Sequence, residues 1–269
     1  MTPAGRFVME PLNALAGFLV GILVGFTGVG GGAMMTPVLV FVFGVAPQTA
    51  IGTDLLFASI TKAFGTWAHG ARGTIDLIVL RRLCMGSLPA AALTLLLLSN
   101  YPADKEINKL LMPALGAALA LTSVAMLFQP RLHRLGQKLR SSSPVEFKGA
   151  QPGLTVLAGA ILGFLVTLTS VGAGALGVVM LVYLYPYRLT PPKLVGTDIA
   201  HAVPLTLLAG LGHFGLGNVD FGLLATLLVG SIPGILIGSR LSARVNHTYL
   251  RRAIAVLLAL VGGKLLFSI

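Results

Sequence analysis

Long apolar runs recur from residue 11 to the end of the chain, and they constrain the fold more than any other feature of the sequence. Hydrophobic residues make up 55% of the 269 residues and charged residues only 10%, whereas soluble chains carry roughly a quarter charged residues. Runs of this length and composition are typical of helices that cross a lipid bilayer. The sequence therefore predicts an all-α polytopic membrane protein.

The basic residues of the chain fit the same interpretation. A formal net charge of +11 would suggest nucleic-acid binding in a soluble protein. Here the lysines and arginines lie mostly between apolar runs, where they act as topology signals. We therefore expect the lipid bilayer, and no nucleic acid, as a partner. The single cysteine, Cys84, excludes an intramolecular disulfide.

The chain contains the same unit twice. The stretch "PQTAIGTDLL" (47–56) recurs as "PPKLVGTDIA" (191–200), an offset of 191 − 47 = 144 residues. The stretch "TGVGGG" (27–32) recurs as "TSVGAG" (169–174), at 169 − 27 = 142, so the second unit has two extra residues before Pro191. We divide the chain into a first transmembrane repeat (1–128), a basic linker (129–151) and a second repeat (152–269).

Each repeat is predicted to contain five apolar segments. They cover about 11–27, 33–46, 49–68, 75–99 and 107–128 in the first repeat and about 153–169, 175–187, 194–213, 219–241 and 249–268 in the second. The first two segments of each repeat are short, and a glycine-rich stretch separates them. A helix of 14 residues reaches only about 21 Å, less than the roughly 30 Å hydrocarbon core. We expect half-helices that meet near the membrane midplane.

The linker indicates the topology of the two repeats. It carries many cations and a single acid, Glu146, which favours a solvated cytoplasmic location. If the two short segments are separate passes or a hairpin, the repeats are inverted, and Arg72, Arg188 and Arg251 all lie inside. If the two segments form one broken helix, the repeats are parallel and the arginines at 240–252 lie outside. The charge distribution favours inverted repeats.

The glycine-rich breaks are the candidate substrate site. Short, glycine-interrupted segments at matching positions of inverted repeats point to a transporter's binding site. Half-helix N-termini with free amides attract anions, and glycine lets a ligand approach the backbone. The candidates for substrate binding are Thr27, Gly28, Gly30, Gly31, Gly32, Thr169, Ser170, Gly172 and Gly174. Close helix packing is the competing explanation for any single glycine.

These motifs resemble the TauE/SafE-type sulfite exporter family of membrane permeases. The resemblance rests on "GFTGVGGGAMMTPVL…GVAPQTAIGTDLL", repeated as "TSVGAG…LTPPKLVGTDIA", and covers residues 11–268. It implies transport of small, mainly sulfur-containing anions across the bacterial inner membrane. "TSVGAG" is poorer in glycine than "TGVGGG", which puts the contribution of the second half-site in doubt.

Acidic residues occupy equivalent positions in the third segment of each repeat. Asp54 and Asp198 follow Thr53 and Thr197 in a repeated Gly-Thr-Asp element. An acid at the centre of a membrane helix costs about 2.5–3.5 kcal/mol, so each should face a cavity or a partner. We expect these four residues to serve gating or proton coupling. Pairing with a cation, or capping of a nearby backbone break, is equally compatible with the sequence.

Basic and imidazole side chains near these acids complete the candidate site. Lys62 lies eight residues after Asp54 and is the best cation to contact substrate, unless it extends to the inner interface. His201, three residues after Asp198, is placed for a proton relay or a structural hydrogen bond. His69 and His213 match across the repeats and are expected to cap or anchor helix ends. Of the Arg81–Arg82 pair, Arg81 is the candidate to point at the pore.

The sequence therefore predicts a secondary transporter for a small anion, sulfite or an organosulfur anion, working by alternating access with possible proton coupling. An anion channel on the same scaffold, or a transporter of another small solute, is the alternative. The chain lacks HExxH, G-x-S-x-G and GK[ST] motifs, so we expect no enzyme activity, no metal, no cofactor and no nucleotide-driven engine. The sequence leaves the oligomeric state, the anion and the direction of transport open.

Overall fold

A computed structural model describes residues 11–27, 32–100, 105–142, 144–241 and 247–267, and within these ranges the only regular secondary structure is helical. The helices in these ranges are α1 (Pro11–Thr27), α2 (Gly32–Phe41), α3 (Pro47–Ala71), α4 (Leu77–Ser99), α5 (Lys105–Ser142), α6 (Pro144–Thr169), α7 (Ala175–Leu184), α8 (Pro191–Gly215), α9 (Phe221–Leu241) and α10 (His247–Phe267). The all-α prediction is confirmed.

Five stretches of the described chain are helical, long and apolar enough to cross a membrane. They are Leu77–Ser99, Leu110–Ser141, Phe147–Thr169, Pro191–Gly215 and Phe221–Gly238. By contrast, α2 and α7 contain only 10 residues each. Since a helix rises about 1.5 Å per residue, each of these two covers about half of the hydrocarbon core.

The two repeats pack through reciprocal contacts. Helix α1 packs along α9, and its counterpart α6 packs along α4, the counterpart of α9. Helix α3 packs against α8, and α5 against α10, so the equivalent helices of the two repeats meet each other. This exchange of partners places α3 and α8, which carry the Gly-Thr-Asp elements, next to each other in the interior.

Glycines permit the closest of these contacts. The backbone carbonyl of Leu227 lies directly over Gly17, where a Cβ atom would stand, and Leu83 covers Gly159 in the same way. From the opposite side, the carbonyls of Ala14 and Val156 cover Gly230 and Gly86. The α1–α9 and α4–α6 interfaces thus depend on glycine for backbone contact, as membrane helices commonly do.

Substituting Gly230 by valine is expected to destabilise the protein. The new Cβ would overlap the carbonyl oxygen of Ala14, so α1 and α9 would have to separate. Overpacking of this kind costs about 1–3 kcal/mol, measurable as a lower melting temperature of the detergent-solubilised protein. Gly263→Ala is the control, because no atom lies within 4 Å of the added methyl group. Equal melting temperatures of the two variants would contradict the packing argument.

The threonines of the Gly-Thr-Asp elements hold the turns before α4 and α9. The hydroxyl oxygen of Thr197 accepts a hydrogen bond from the backbone N–H of Asp76 at 2.9 Å. The hydroxyl of Thr53 accepts one from the N–H of Asp220 at 3.0 Å. Each threonine therefore joins its own repeat to the other repeat, which gives both residues a structural function.

The basic linker 129–151 is almost entirely helical where it is described. Helix α5 continues through it to Ser142, and α6 begins at Pro144. The end of α7 lies beside it, because the side-chain amide of Gln151 donates to the carbonyl of Leu184 at 2.6 Å. The linker is therefore packed against the second repeat.

Candidate functional site

The connection between α6 and α7 is a non-helical segment buried in the interior. Ser170 has a φ of 58°, and Gly172 and Gly174 have φ angles of 115° and 123°. Only glycine adopts the last two conformations without strain, since a Cβ atom disfavours positive φ. Ser170 and Ala173 are 2% and 5% exposed. The break in the second repeat is therefore a defined backbone structure within the protein.

Asp54 ties this break to the short helix of the first repeat. One carboxylate oxygen, Oδ2, accepts hydrogen bonds from the backbone N–H of Thr36 at 3.2 Å and from its hydroxyl at 2.5 Å. The same oxygen accepts a hydrogen bond from the hydroxyl of Ser170 at 3.0 Å. Asp54 thus connects α2 to the α6–α7 break, and Ser170, a predicted substrate ligand, is engaged by this carboxylate.

Lys62 reaches the same break from α3. Its Nζ donates a hydrogen bond to the carbonyl of Ala173 at 2.8 Å, and the side chain is only 4% exposed. Lys62 also interacts electrostatically with Asp198 and Asp54. Among the lysines and arginines whose side chains the structure describes, it is the one that is fully buried. Lys62 therefore turns inward to the candidate site, and the alternative in which it extends to the inner interface is not observed.

Asp198 is buried, and the described part of the chain offers its carboxylate no hydrogen-bond partner. Its carboxylate lies against the α-carbon of Gly177 in α7, and both oxygens lack a hydrogen bond among the described residues. Lys62 is the charged side chain with which it interacts. Buried carboxylates without partners are costly, and they concentrate at functional sites. Asp198 is consequently a candidate functional group of the site.

The sequence explains why the two equivalent aspartates differ. At the offset of the short segments, Thr36 corresponds to Val178, which has no hydroxyl group to donate. Likewise, Ser170 corresponds to Gly28. The sequence therefore provides two hydroxyl donors for Asp54, at positions whose counterparts in the other repeat have no hydroxyl group. Thr36 and Gly177 were not among the predicted site residues, although comparing the two repeats position by position would have found them.

His201 contacts a serine of α4 rather than Asp198. Its Nε2 lies 2.8 Å from the hydroxyl oxygen of Ser87, and both side chains are buried. Of the two interpretations offered by the sequence, this geometry matches the structural hydrogen bond. A relay between His201 and Asp198 has no hydrogen bond to support it in the described residues.

The remaining predicted ligands divide into two groups. Thr169 bonds locally, donating from its hydroxyl to the carbonyl of Leu165 at 2.6 Å and accepting from the N–H of Val171 at 3.2 Å. The first-repeat candidates Gly28, Gly30 and Gly31 lie outside the described residues. Thr27 and Gly32 are the last residue of α1 and the first of α2, and their surroundings are likewise not described.

Other polar residues singled out in the sequence make contacts at helix ends or lie at the surface. His69 contacts the hydroxyl of Thr74 at 2.8 Å beside the end of α3, and Nε2 of His213 bonds the carbonyl of Thr167 at 2.9 Å. Both histidines thus fasten helix ends, as expected. Arg81 is exposed on the outer surface of α4, so the prediction that it points at the pore is not met.

An ion pair joins the loop after α7 to the residue before α4. Arg188, in the loop after α7, donates to Asp76 through Nε at 2.7 Å and through Nη2 at 3.0 Å. Burial would raise the pKa of Asp76, but the hydrogen bonds from Arg188 and from Val79 N–H, with the Arg188 charge, outweigh burial and lower it. The loop that contains Arg188 covers residues 185–190, one residue more than the equivalent loop 42–46 after α2.

The Asp76–Arg188 pair is expected to make a small, pH-dependent contribution to stability. Because folding lowers the pKa of Asp76, the contribution is complete above the unfolded value of about 4 and is lost as the pH falls through the folded value. The Arg188 side chain is 44% exposed, so solvent screening limits the pair to about 0.2–1 kcal/mol.

Thermal unfolding of Asp76→Asn between pH 3 and pH 8 measures this contribution, since asparagine can still cap α4. Asp220→Asn is the matched control, because Asp220 caps α9 through the N–H of Leu223 and no ion pair is described for it. We expect Asp76→Asn to be less stable than the wild type above pH 4 and equally stable at lower pH, where the wild-type carboxyl group is protonated. A pH-independent loss, equal in the two variants, would contradict the ion-pair assignment.

Comparison with known proteins assigns the chain to a family. The model of the family described as "Sulfite exporter TauE/SafE" matches residues 13–265. The chain belongs to the TauE/SafE family. It is 41% identical to the probable membrane transporter protein YjnA of Bacillus subtilis, over 94% of this chain and 98% of that protein. It is 30% identical to the probable membrane transporter protein YdhB of the same organism, over 95% of this chain and all of the relative.

A more distant relative is a probable membrane transporter protein of Methanocaldococcus jannaschii, 24% identical over 95% of this chain and 93% of the relative. No solved structure matches the chain significantly. The family and the names of these relatives make the protein a multi-pass membrane transporter, and not an enzyme. Within the described residues, no group of three or more His, Cys, Asp or Glu side chains comes together as a metal site.

Proposed function

We propose that this TauE/SafE protein is a secondary transporter that moves a small anion together with a proton, through the α6–α7 break. The observation on which this depends is the buried cluster of Lys62, Asp54 and Asp198 around residues 170–174. Lys62 supplies the positive charge for an anion, and the N-terminal amides of α7 face the same segment.

The charges of the cluster favour proton coupling. With all three groups ionised, one lysine faces two carboxylates, and an added anion would raise the negative charge further. A proton on one carboxylate makes the cluster neutral and lets Lys62 attract the anion. Asp198 is the better acceptor of that proton because its oxygens have no hydrogen-bond donor among the described residues, whereas Asp54 has three. In this proposal Asp198 binds and releases the proton that accompanies the anion. Asp54 stabilises the α6–α7 break through Ser170, and His201 orients α8 through its hydrogen bond with Ser87.

Burial of the cluster supports alternating access over an open channel. Lys62, Asp198 and Ser170 are 4%, 1% and 2% exposed, so solvent does not reach these side chains. A substrate arriving from either side needs a rearrangement that opens the break. Since the Lys62–Ala173 hydrogen bond joins α3 of one repeat to the break of the other, its loss is the natural first step of opening.

Contacts near the linker support inverted repeats. Arg251 of α10 donates to Gln129 at 2.6 Å, at the start of the linker. Gln151, at its end, bonds the last turn of α7, and Arg188 in the next loop pairs with Asp76. These contacts bring Arg188 and Arg251 near the linker, which supports the inverted arrangement over the parallel one. We propose that the linker is cytoplasmic and that the membrane is the bacterial inner membrane.

The family description favours sulfite or another small sulfur anion as the substrate. The test is flux into liposomes containing the purified protein, with sulfite, sulfate, thiosulfate, taurine and acetate, each with and without a pH gradient. We expect saturable uptake of one sulfur anion, acceleration by inward-directed protons, and faster exchange when the same anion is trapped inside. Linear, exchange-independent flux would instead support an anion channel. Absence of flux for every anion would contradict the proposed substrate class.

A further inference from the structure

Two clefts lie at the end of the molecule where the linker lies, one lined by Tyr185 and the other by Arg82, which bonds to Tyr185. The first, which we call the basic cleft, has a volume of about 270 Å³ and is lined by Arg140, Lys148, Gln151, Tyr185, Pro186, Tyr187 and Arg188. The second, which we call the apolar trough, has a volume of about 440 Å³ and is lined by Leu77, Ile78, Arg81, Arg82 and Met85. Arg82 connects them, because its Nη1 donates to the Tyr185 hydroxyl at 3.1 Å.

We infer that the basic cleft and the apolar trough together bind one anionic phospholipid, with its phosphate group in the cleft and an acyl chain along the trough. Neither cleft includes a residue of the proposed transport cluster. The inference is therefore independent of the substrate and of the coupling mechanism.

The charges in the basic cleft suit a phosphate group. Arg140, Lys148 and Arg188 bring three cations to it, and its described lining contains no acidic side chain. Asp76 neutralises part of the Arg188 charge from outside the cleft. Basic pockets between membrane helices on the cytoplasmic side are typical headgroup sites. Tyr187, 63% exposed, adds the amphipathic ring that is common at the membrane interface.

The apolar trough favours a lipid over a soluble anion. Leu77, Ile78 and Met85 are 71%, 53% and 59% exposed, so the trough opens to the surroundings of the helices. Arg81 lies among these side chains within a helix that can cross the membrane. An arginine in this position is stabilised when its side chain extends toward the headgroup region of a lipid that lies along the trough. A soluble anion would occupy the basic cleft only and would leave the trough and Arg81 unused.

A lipid in this position would join segments distant in the sequence. The basic cleft is formed by the linker end of α5, the start of α6 and the α7–α8 loop, while the trough belongs to α4. The bound lipid would therefore stabilise the contact between the linker and the second half-helix. The expected result is a melting temperature that rises with anionic lipid.

The experiment is native mass spectrometry and thermal unfolding of the full-length protein in detergent, titrated with phosphatidylglycerol or with phosphatidylcholine. We expect selective retention of phosphatidylglycerol and a higher melting temperature. The Arg140→Gln/Lys148→Gln variant should bind it about 25-fold more weakly, at roughly fivefold per basic residue. The control Lys138→Gln/Lys193→Gln removes the same charge from exposed positions outside both clefts and should bind like the wild type.

A second variant, Arg81→Gln, tests the trough. It should weaken the binding of phosphatidylglycerol and leave any binding of inorganic phosphate unchanged. Equal binding of the two lipids, or equal weakening in the cleft variant and its control, would overturn the inference. Inorganic phosphate or glycerol 1-phosphate raising the melting temperature as much as phosphatidylglycerol would also overturn it, in favour of a soluble-anion site.

Discussion

Replacing Lys62 by methionine is expected to abolish anion flux and to lower the free energy of unfolding by about 3–5 kcal/mol. The substitution removes the buried cation whose charge acts on Asp54 and Asp198, and it removes the hydrogen bond to the carbonyl of Ala173. Two carboxylates then remain buried without a positive charge, and the α6–α7 break loses its connection to α3. Melting temperature and liposome flux of the purified variant measure the two effects separately.

A double variant distinguishes the structural function of Lys62 from its function toward the anion. Lys62→Met/Asp198→Asn removes one positive and one negative charge together, so most of the lost stability should return. Flux should not return, because the anion still lacks a cation. Lys193→Met, at an exposed position, is the control and should leave both properties unchanged. Recovery of flux in the double variant would contradict the proposed contact between Lys62 and the substrate.

The helices of this protein were largely predictable from its sequence. The apolar runs predict the order of the helices. The repeated motifs indicate the break between α6 and α7, and α7 begins directly after it at Ala175. Lys62 was predicted as the cation of the site from its spacing to Asp54, and it lies in the buried cluster. Local patterns succeed here because hydrophobic periodicity and glycine act over a few residues.

The partners of the polar residues were not predictable in the same way. Ser170 was expected to bind substrate, but it donates to Asp54, which is 116 residues away in the sequence. Lys62 finds its acceptor at Ala173, 111 residues away. Spacing along one helix limits which neighbours can meet, but it does not select a partner on another helix. Thr53 and Thr197, predicted to serve gating or proton coupling, accept hydrogen bonds from the turns of the other repeat, and spacing alone does not indicate these contacts.

The difference between Asp54 and Asp198 leads to the second large expected effect. Asp198→Asn should preserve folding and anion flux down a gradient but abolish the acceleration of flux by protons. The Asp198 carboxylate makes no hydrogen bond among the described residues, so replacing it by an amide breaks no described hydrogen bond. The side chain does lose the ability to exchange a proton. An anion gradient across liposomes, with a pH-sensitive dye inside, measures whether protons accompany the anion.

Asp54→Asn is the matched variant at the equivalent position of the first repeat. All three donors to Asp54 share the single oxygen Oδ2, so the asparagine oxygen can accept the same bonds. We therefore expect Asp54→Asn to remain proton-coupled, and Asp54→Ala to lose about 1–3 kcal/mol of stability because buried donors are left unpaired. Proton movement that persists in Asp198→Asn and disappears in Asp54→Asn would reverse the assignment. The lack of donors at Val178 and Gly28 would then be a consequence of packing alone, with no function in coupling.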